Sequence, residues 1–163
     1  MNNCQTIIIR HKRENKKKCS ICHLEGSVDF LFFAYPGCEE VTFPGFVLLD
    51  IDGEPLSQKD CQSGLVLLDA TWRLSYKMKK QIPYLNLMPK RSIPEGFVTA
   101  YPRRQNDCLD PSKGLSSIEA LYVAFHVLGR KKDFLLDHYY WKESFLEKNR
   151  QLLFLDNKVK KIV

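Results

Sequence analysis

The sequence predicts an α/β fold, with a parallel five-stranded sheet in an N-terminal lobe, residues 1–101, and a helical C-terminal lobe, residues 102–163. Three observations carry that expectation. Five short apolar runs, at residues 6–9, 28–33, 46–51, 65–68 and 97–100, are near-continuous in Val, Ile, Leu and Phe rather than alternating, the pattern of strands covered on both faces. The second half then changes to helical spacing. Finally, a chain of 163 residues, 44% hydrophobic and 12% aromatic, holds enough apolar material for one packed unit, and it shows neither an internal repeat nor a low-complexity linker.

Each strand candidate is bounded by polar residues or by Gly and Pro. In the run 64–72, GLVLLDATW, the apolar stretch ends abruptly on Asp69, Thr71 and Trp72. In the second half, Ser116-Ser117-Ile118-Glu119 has capping-box spacing, and the apolar run that follows reaches Leu128 and stops at Gly129. A further helical pattern begins near Asp133, with Phe134, Leu135, Tyr139, Leu146 and Leu153 at helical spacing, and a Lys-rich tail follows.

No apolar stretch approaches the roughly 20 residues that span a bilayer, and the N-terminus lacks the layout of a signal peptide, so a cytoplasmic protein is expected. In a reducing compartment its six cysteines are expected as thiols. The net charge of +6 is unevenly placed. Residues 10–18 carry six basic side chains against Glu14, and residues 73–104 carry eight against Glu95, while residues 19–72 between them hold nine acids and only Lys59. Such basic clusters are the footprint of a nucleic-acid binder, because each cation on a phosphate releases condensed counterions; the alternative is a solvated lysine-rich surface. Dinucleotide, P-loop, zincin and serine-hydrolase signatures are absent from the sequence.

Cys19, Cys22 and His23 form a C-x-x-C-H cluster that, with Cys38, could supply zinc ligands, but a structural site usually has a second pair. No metal is assigned, and the alternative is small buried thiols. His126 reads as core and His138 as part of a polar helix face. Ligands of parallel α/β sheets bind at the carboxyl ends of the strands, which places Asp69 and Trp72 where a site would lie. An aspartate there can accept hydrogen bonds from a ribose, an ammonium or a nucleobase N–H, and the tryptophan can wall an adenine or a sulfonium. The competing reading makes Asp69 a helix cap and Trp72 a core plug.

Several segments in order resemble the SPOUT-related aminocarboxypropyltransferases that modify a pseudouridine in small-subunit ribosomal RNA. Asp69 to Trp72 is similar to the family's D-x-S-W, Thr99-Ala100-Tyr101-Pro102 to its A-x-N-P, and Leu115 to Ala120 to its L-S-x-x-E-A. Lys17-Lys18-Cys19-Ser20 resembles K-K-C-S/T, residues 45–57 resemble G-x-V-L-S-P, and Trp141, Phe145, Leu146 and Asn149 match the closing block. Asp69-Ala70-Thr71-Trp72 equally resembles the D-T-W signature of tRNA uridine aminocarboxypropyltransferases.

The resemblance implies a deep trefoil knot, a topology rare enough that periodicity could not have suggested it. It also implies S-adenosylmethionine as cofactor and RNA as partner; a monomer is expected, and no membrane partner, since no apolar stretch is long enough to span a bilayer. The implied reaction is in-line displacement at the carbon beside the sulfonium, placing a 3-amino-3-carboxypropyl group on N3 of a uridine or pseudouridine and leaving methylthioadenosine. Carried over position by position, Leu48, Trp72 and Leu115 become apolar walls of the cofactor pocket, with Trp72 beside the methyl group. Ala100, Tyr101, Pro102, Ser116 and Ser117 hold adenosine and the amino-acid end, and Ser20 lies beside the transferred chain. Asp69 becomes the catalytic candidate. A carboxylate with a pKa of about 4 is a weak base for a uridine imide, so orientation suits it better than deprotonation. Lys17, Lys18, Arg73, Lys77, Lys79, Lys80, Arg103 and Arg104 would cradle RNA phosphates.

The chain departs from the family at Tyr101, which stands for Asn, and at Leu49-Asp50, which stands for Ser-Pro. Other readings of the same residues are a tRNA uridine aminocarboxypropyltransferase, a knotted RNA methyltransferase using the same cofactor, and a non-catalytic module binding RNA with zinc on Cys19, Cys22 and His23.

Overall fold

A computed structural model describes residues 5–15, 19–102 and 114–159, with side chains through Phe154. Five strands form one sheet: β1 (Thr6–His11), β2 (Phe30–Tyr35), β3 (Phe46–Pro55), β4 (Gly64–Asp69) and β5 (Lys90–Ser92). Their order is β2-β1-β4-β3-β5, and every described pairing is parallel. Helices α1 (Trp72–Gln81) and α2 (Pro83–Leu87) follow β4, and α3 (Ser117–Val127), α4 (Lys142–Lys148) and α5 (Arg150–Val159) make up the second half.

Both faces of the sheet are covered at its centre, which is why β1, β2, β4 and the start of β3 read as apolar runs. Ile8, Val47, Leu65 and Leu67 pack on one face with Ile118, Leu121, Phe125, Leu135 and Phe145. Ile7, Ile9, Leu48 and Val66 turn to the other, against Met78, Ile82 and Leu85 of the α1–α2 segment. The two halves of the chain thus meet in a shared core. Helix α3 starts at Ser116, whose N–H donates to the Glu119 carboxylate at 2.8 Å in a capping box. It ends in a Schellman arrangement, with Arg130 N–H on Phe125 O and Gly129 N–H on His126 O, and Gly129 at a φ of 69° supplies the left-handed residue.

Three expectations are corrected. The fifth strand is Lys90–Ser92, while residues 97–100 form no strand. Phe97 is buried, but the backbone beside it is bonded to side chains: Asn149 brackets Val98, accepting from its N–H at 2.7 Å and donating to its carbonyl at 2.8 Å. Val28 is 82% exposed in a turn, so β2 begins at Phe30. The helical pattern from Asp133 breaks into a 3-10 turn (Asp133–Leu136), α4 and α5, because Tyr139, Tyr140 and Trp141 form a bend between the first two.

Strand β3 is irregular against β5. Leu49 pairs with Arg91, and so does Glu54, so the residues between them leave the ladder. A Cβ on Gly53 would lie 2.4 Å from the Arg91 backbone nitrogen, so this close approach requires glycine.

Candidate active site

The carboxyl ends of β3, β4 and β5 open into a cleft of about 1300 Å³. That exceeds the roughly 300–1,000 Å³ of a single small-ligand pocket. Leu49, Leu67, Leu68, Phe97, Leu115 and Ala120 give it hydrocarbon walls, Trp72 and Tyr76 line it from α1, and Ser75, Ser92 and Ser117 bring hydroxyls. The β3 irregularity aims Asp50, Ile51 and Asp52 at the cleft. Thr71 starts α1 by accepting a hydrogen bond from Leu74 N–H, and this cap fixes Trp72 as the first helical residue, half-buried at the base of the cleft.

Behind that wall lies a buried polar cluster. Asp69, the last residue of β4, accepts Arg10 Nε at 2.7 Å, Ser117 Oγ at 3.0 Å and Cys19 Sγ at 3.3 Å. Arg10 also pairs with Glu25 and lies 4.8 Å from the centre of the Phe32 ring. Burial works against its charge, but the hydrogen bond and charge of Asp69 outweigh that and raise its pKa. Burial, helped by Asp69, pushes the Cys19 thiol up to about 12, so it is protonated and no nucleophile near neutral pH.

A second buried carboxylate holds the far wall. Glu119 is fully buried and accepts from Thr99 Oγ1 at 2.6 Å, Ala100 N at 2.8 Å, Ser116 N at 2.8 Å and Tyr139 Oη at 2.9 Å. Burial, together with the charge of Glu119, raises the Tyr139 pKa, so the phenol stays protonated and donates.

Among the residues singled out from sequence, Trp72, Arg73, Lys79, Lys80, Leu115 and Ser117 line the cleft. Leu48 does not: it is fully buried on the α1–α2 side, and the pleat gives the cleft its neighbour Leu49 instead. Asp69 lies behind the wall, 4% exposed, and the helix cap is Thr71. Ser20 accepts from Ile118 N–H at the start of α3, Ser116 is buried, Ala100 is held by Glu119, and Tyr101 packs edge-on against Trp141 with ring centres 5.1 Å apart. Pro102 is exposed beside them. Lys79 is tied to Asp50 at 2.8 Å and is not available to phosphate, whereas Arg73, Lys77 and Lys80 are exposed on α1. Lys17, Lys18, Arg103 and Arg104 lie outside the described residues. Among the described residues, no group of three or more His, Cys, Asp or Glu side chains is placed to hold a metal, and the rings of His23 and His138 meet tilted, with centres 5.0 Å apart. No described helix is long and apolar enough to cross a membrane.

Sequence reasoning counted Arg10 in the basic block of residues 10–18, whereas it is buried and paired with Asp69, and gave Thr99 and Tyr139 no role. The signal for its burial was a cation directly continuing an apolar strand run. Thr99 and Tyr139 were visible only as members of motifs.

The family model of the DTW domain matches residues 1–155. No curated protein matches the sequence. Among solved structures, the chain is similar to one described as the SAM-dependent rRNA:acp-transferase Tsr3 from Vulcanisaeta distributa, with a TM-score of 0.68 and 20% sequence identity over 92% of this chain and 81% of that one. At that identity the likeness is one of fold.

Proposed function

The chain belongs to the DTW domain family, and from that membership we propose that it is an RNA-modifying enzyme transferring the 3-amino-3-carboxypropyl group of S-adenosylmethionine to N3 of a uridine-type base. The observation that carries the proposal is the cleft at the strand ends, walled by hydrocarbon and Trp72 and rimmed on the α1 side by exposed cations. The fold likeness to a SAM-dependent rRNA:acp-transferase supports it.

The residues present fit the cofactor. Apolar walls with a few hydroxyls suit an adenosine, and Asp52 favours a sulfonium nearby, Asp50 being already paired with Lys79. When bound, S-adenosylmethionine supplies a carbon already activated by the sulfonium, so no acid has to assist departure of the leaving group. What remains for the chain is aim. Trp72, which lines the cleft, would wall the cofactor there, and its bulk would favour presenting the longer carbon chain rather than the methyl group to the nucleophile. Ser117 borders the cleft and is held by Asp69, which is itself fixed by Arg10. Asp69 therefore acts as a positioning residue rather than as the base.

Small-subunit ribosomal RNA, with uridine or pseudouridine as target, is the first substrate in this reading. The likeness of Asp69 to Trp72 to the D-T-W signature of tRNA enzymes makes tRNA the second. The deep trefoil knot belongs to the same proposal; a crystal structure tracing the C-terminal helices either through or past the preceding loop decides it.

The test is mass spectrometry after incubating the purified protein with S-adenosylmethionine and total RNA from a strain lacking the gene. Methylthioadenosine with a nucleoside heavier by an aminocarboxypropyl group is the expected result and identifies the RNA. S-adenosylhomocysteine would mean methyl transfer, and neither product, with no cofactor binding by calorimetry, would leave a non-catalytic RNA-binding module.

A further inference from the structure

Helix α1 presents a row to the cleft that begins at Trp72 and continues at Tyr76 and Lys80, each one helical turn further on. The row runs from half-buried to open. Tyr76 is 55% exposed although it lines the cleft, and its ring has the Lys80 ammonium 4.6 Å from its centre. A tyrosine serving only as core would be covered, and one serving only as surface would not border a cavity. Arg73 and Lys77, also exposed, flank it on the same helix. Across the cleft the rim carries Asp52 and Glu95, and its arginine, Arg91, is paired with Asp60 at 2.8 Å and with Glu54 at 3.7 Å. Lys90 also lies on that side but is half-buried, so the exposed cations lining the cleft, Arg73 and Lys80, are both on α1, and a polyanion entering is favoured along that helix.

Resting on the transferase reading above, we propose that Tyr76 is the stacking platform for the target base, with Arg73 and Lys80 on the adjoining phosphates. An aromatic face takes any base by stacking, and exposed cations follow the backbone, the combination that holds single-stranded nucleic acid. The row then orders the encounter: phosphates meet Lys80 and Arg73, the base lies on Tyr76, and its ring nitrogen is directed one turn inward, toward the wall made by Trp72. The cleft volume, larger than one small ligand needs, leaves space for base and cofactor together. Tyr76 is a positioning and specificity residue for the RNA, and takes no part in the bond changes.

The experiment compares the full-length protein with Tyr76→Ala and Tyr76→Phe, using total RNA from a strain lacking the gene and, for binding, a short oligouridylate. Tyr76→Ala raises KM for RNA about tenfold, within what base–aromatic stacking supplies. It leaves the calorimetric affinity for S-adenosylmethionine unchanged, and Tyr76→Phe restores KM because the ring, not the hydroxyl, does the stacking. An unchanged KM in Tyr76→Ala overturns the proposal. An equal loss of cofactor affinity overturns it too, by making Tyr76 a cofactor wall. If the unaltered protein yields no methylthioadenosine, the transferase reading fails instead. In that case oligouridylate binding still decides the platform: undiminished binding in Tyr76→Ala overturns it, and binding lost in Tyr76→Ala but kept in Tyr76→Phe upholds it.

Discussion

Arg10 and Asp69 are directly opposed residues of β1 and β4, and their side chains meet at 2.7 Å while only 8% and 6% exposed. Removing one partner of such a pair leaves the other charge buried. Asp69→Asn is expected to cost about 3 kcal/mol in urea unfolding, since its amide cannot replace the counter-charge. A cost below about 1 kcal/mol, the range of exposed pairs, would show that the pair is not structural.

Glu119 gathers four donors without a cation among them. Glu119→Gln turns one acceptor into a donor facing donors, so about 2 to 3 kcal/mol is expected to be lost. Tyr139→Phe removes the donation to Glu119 and a long 3.5 Å bond accepted from Ser116 Oγ, and is expected to cost about 1 kcal/mol. Thermal unfolding of the two variants checks the order; a costlier Tyr139→Phe would mean that the carboxylate is not the hub.

Gly53 has no room for a methyl group, because Arg91 N and Lys90 C would sit 2.4 and 2.6 Å from it and both are backbone. Gly53→Ala is expected to push β5 from β3, lowering the melting temperature by about 5 °C for an overpacking cost of roughly 2 kcal/mol. Because β5 borders the cleft, cofactor affinity falls with it. Calorimetry that finds affinity intact would separate the strand from the site.

Burial, then the charges of Arg13 and Lys77, hold the pKa of His11 below its ordinary 6.5. Below pH 6.5 the unfolded chain takes up a proton that the folded chain refuses, so this stabilising contribution is complete above 6.5 and is lost as pH falls toward the folded value. His23, lowered by burial and by His138, acts in the same sense. The urea midpoint should therefore fall from about pH 7 to about pH 5, and His11→Gln should flatten part of that slope. An unaltered slope in the variant would remove His11 from the account.

Trp72→Ala is expected to weaken S-adenosylmethionine at least about tenfold while oligouridylate binding holds, because the indole lines the cleft and the exposed cations of α1 are untouched. Losing both affinities together would point to a disrupted helix instead, and circular dichroism would reveal it.

Four of the five strands and the start and end of α3 were legible because burial on both sheet faces and a capping box leave local marks in sequence. Lys90–Ser92 left none. Its side chains are polar, and it is a strand because β3 offers it a ladder, a fact about residues some forty positions away. Residues 97–100 misled for the converse reason: Phe97 is apolar enough for a strand, yet Asn149 and Glu119 satisfy the backbone that a neighbouring strand would have paired. In the site, Trp72, Leu115 and Ser117 were found, but Leu48 was one residue out. In a strand buried on both faces, the two members of an apolar pair are chemically alike while pointing in opposite directions. Nothing local announces that Arg10 would reach Asp69, or that Lys79 would be taken by Asp50.

Asn149 grips the Val98 peptide from both sides and so anchors, from 51 residues away, the segment that forms one bank of the cleft. A ladder divides its load among many peptide groups, but here it falls chiefly on two side chains, the Asn149 amide and the Glu119 carboxylate. The aperture is consequently governed in part from the junction of α4 and α5, so a change confined to those helices can alter what enters the cleft while every residue lining it keeps its identity.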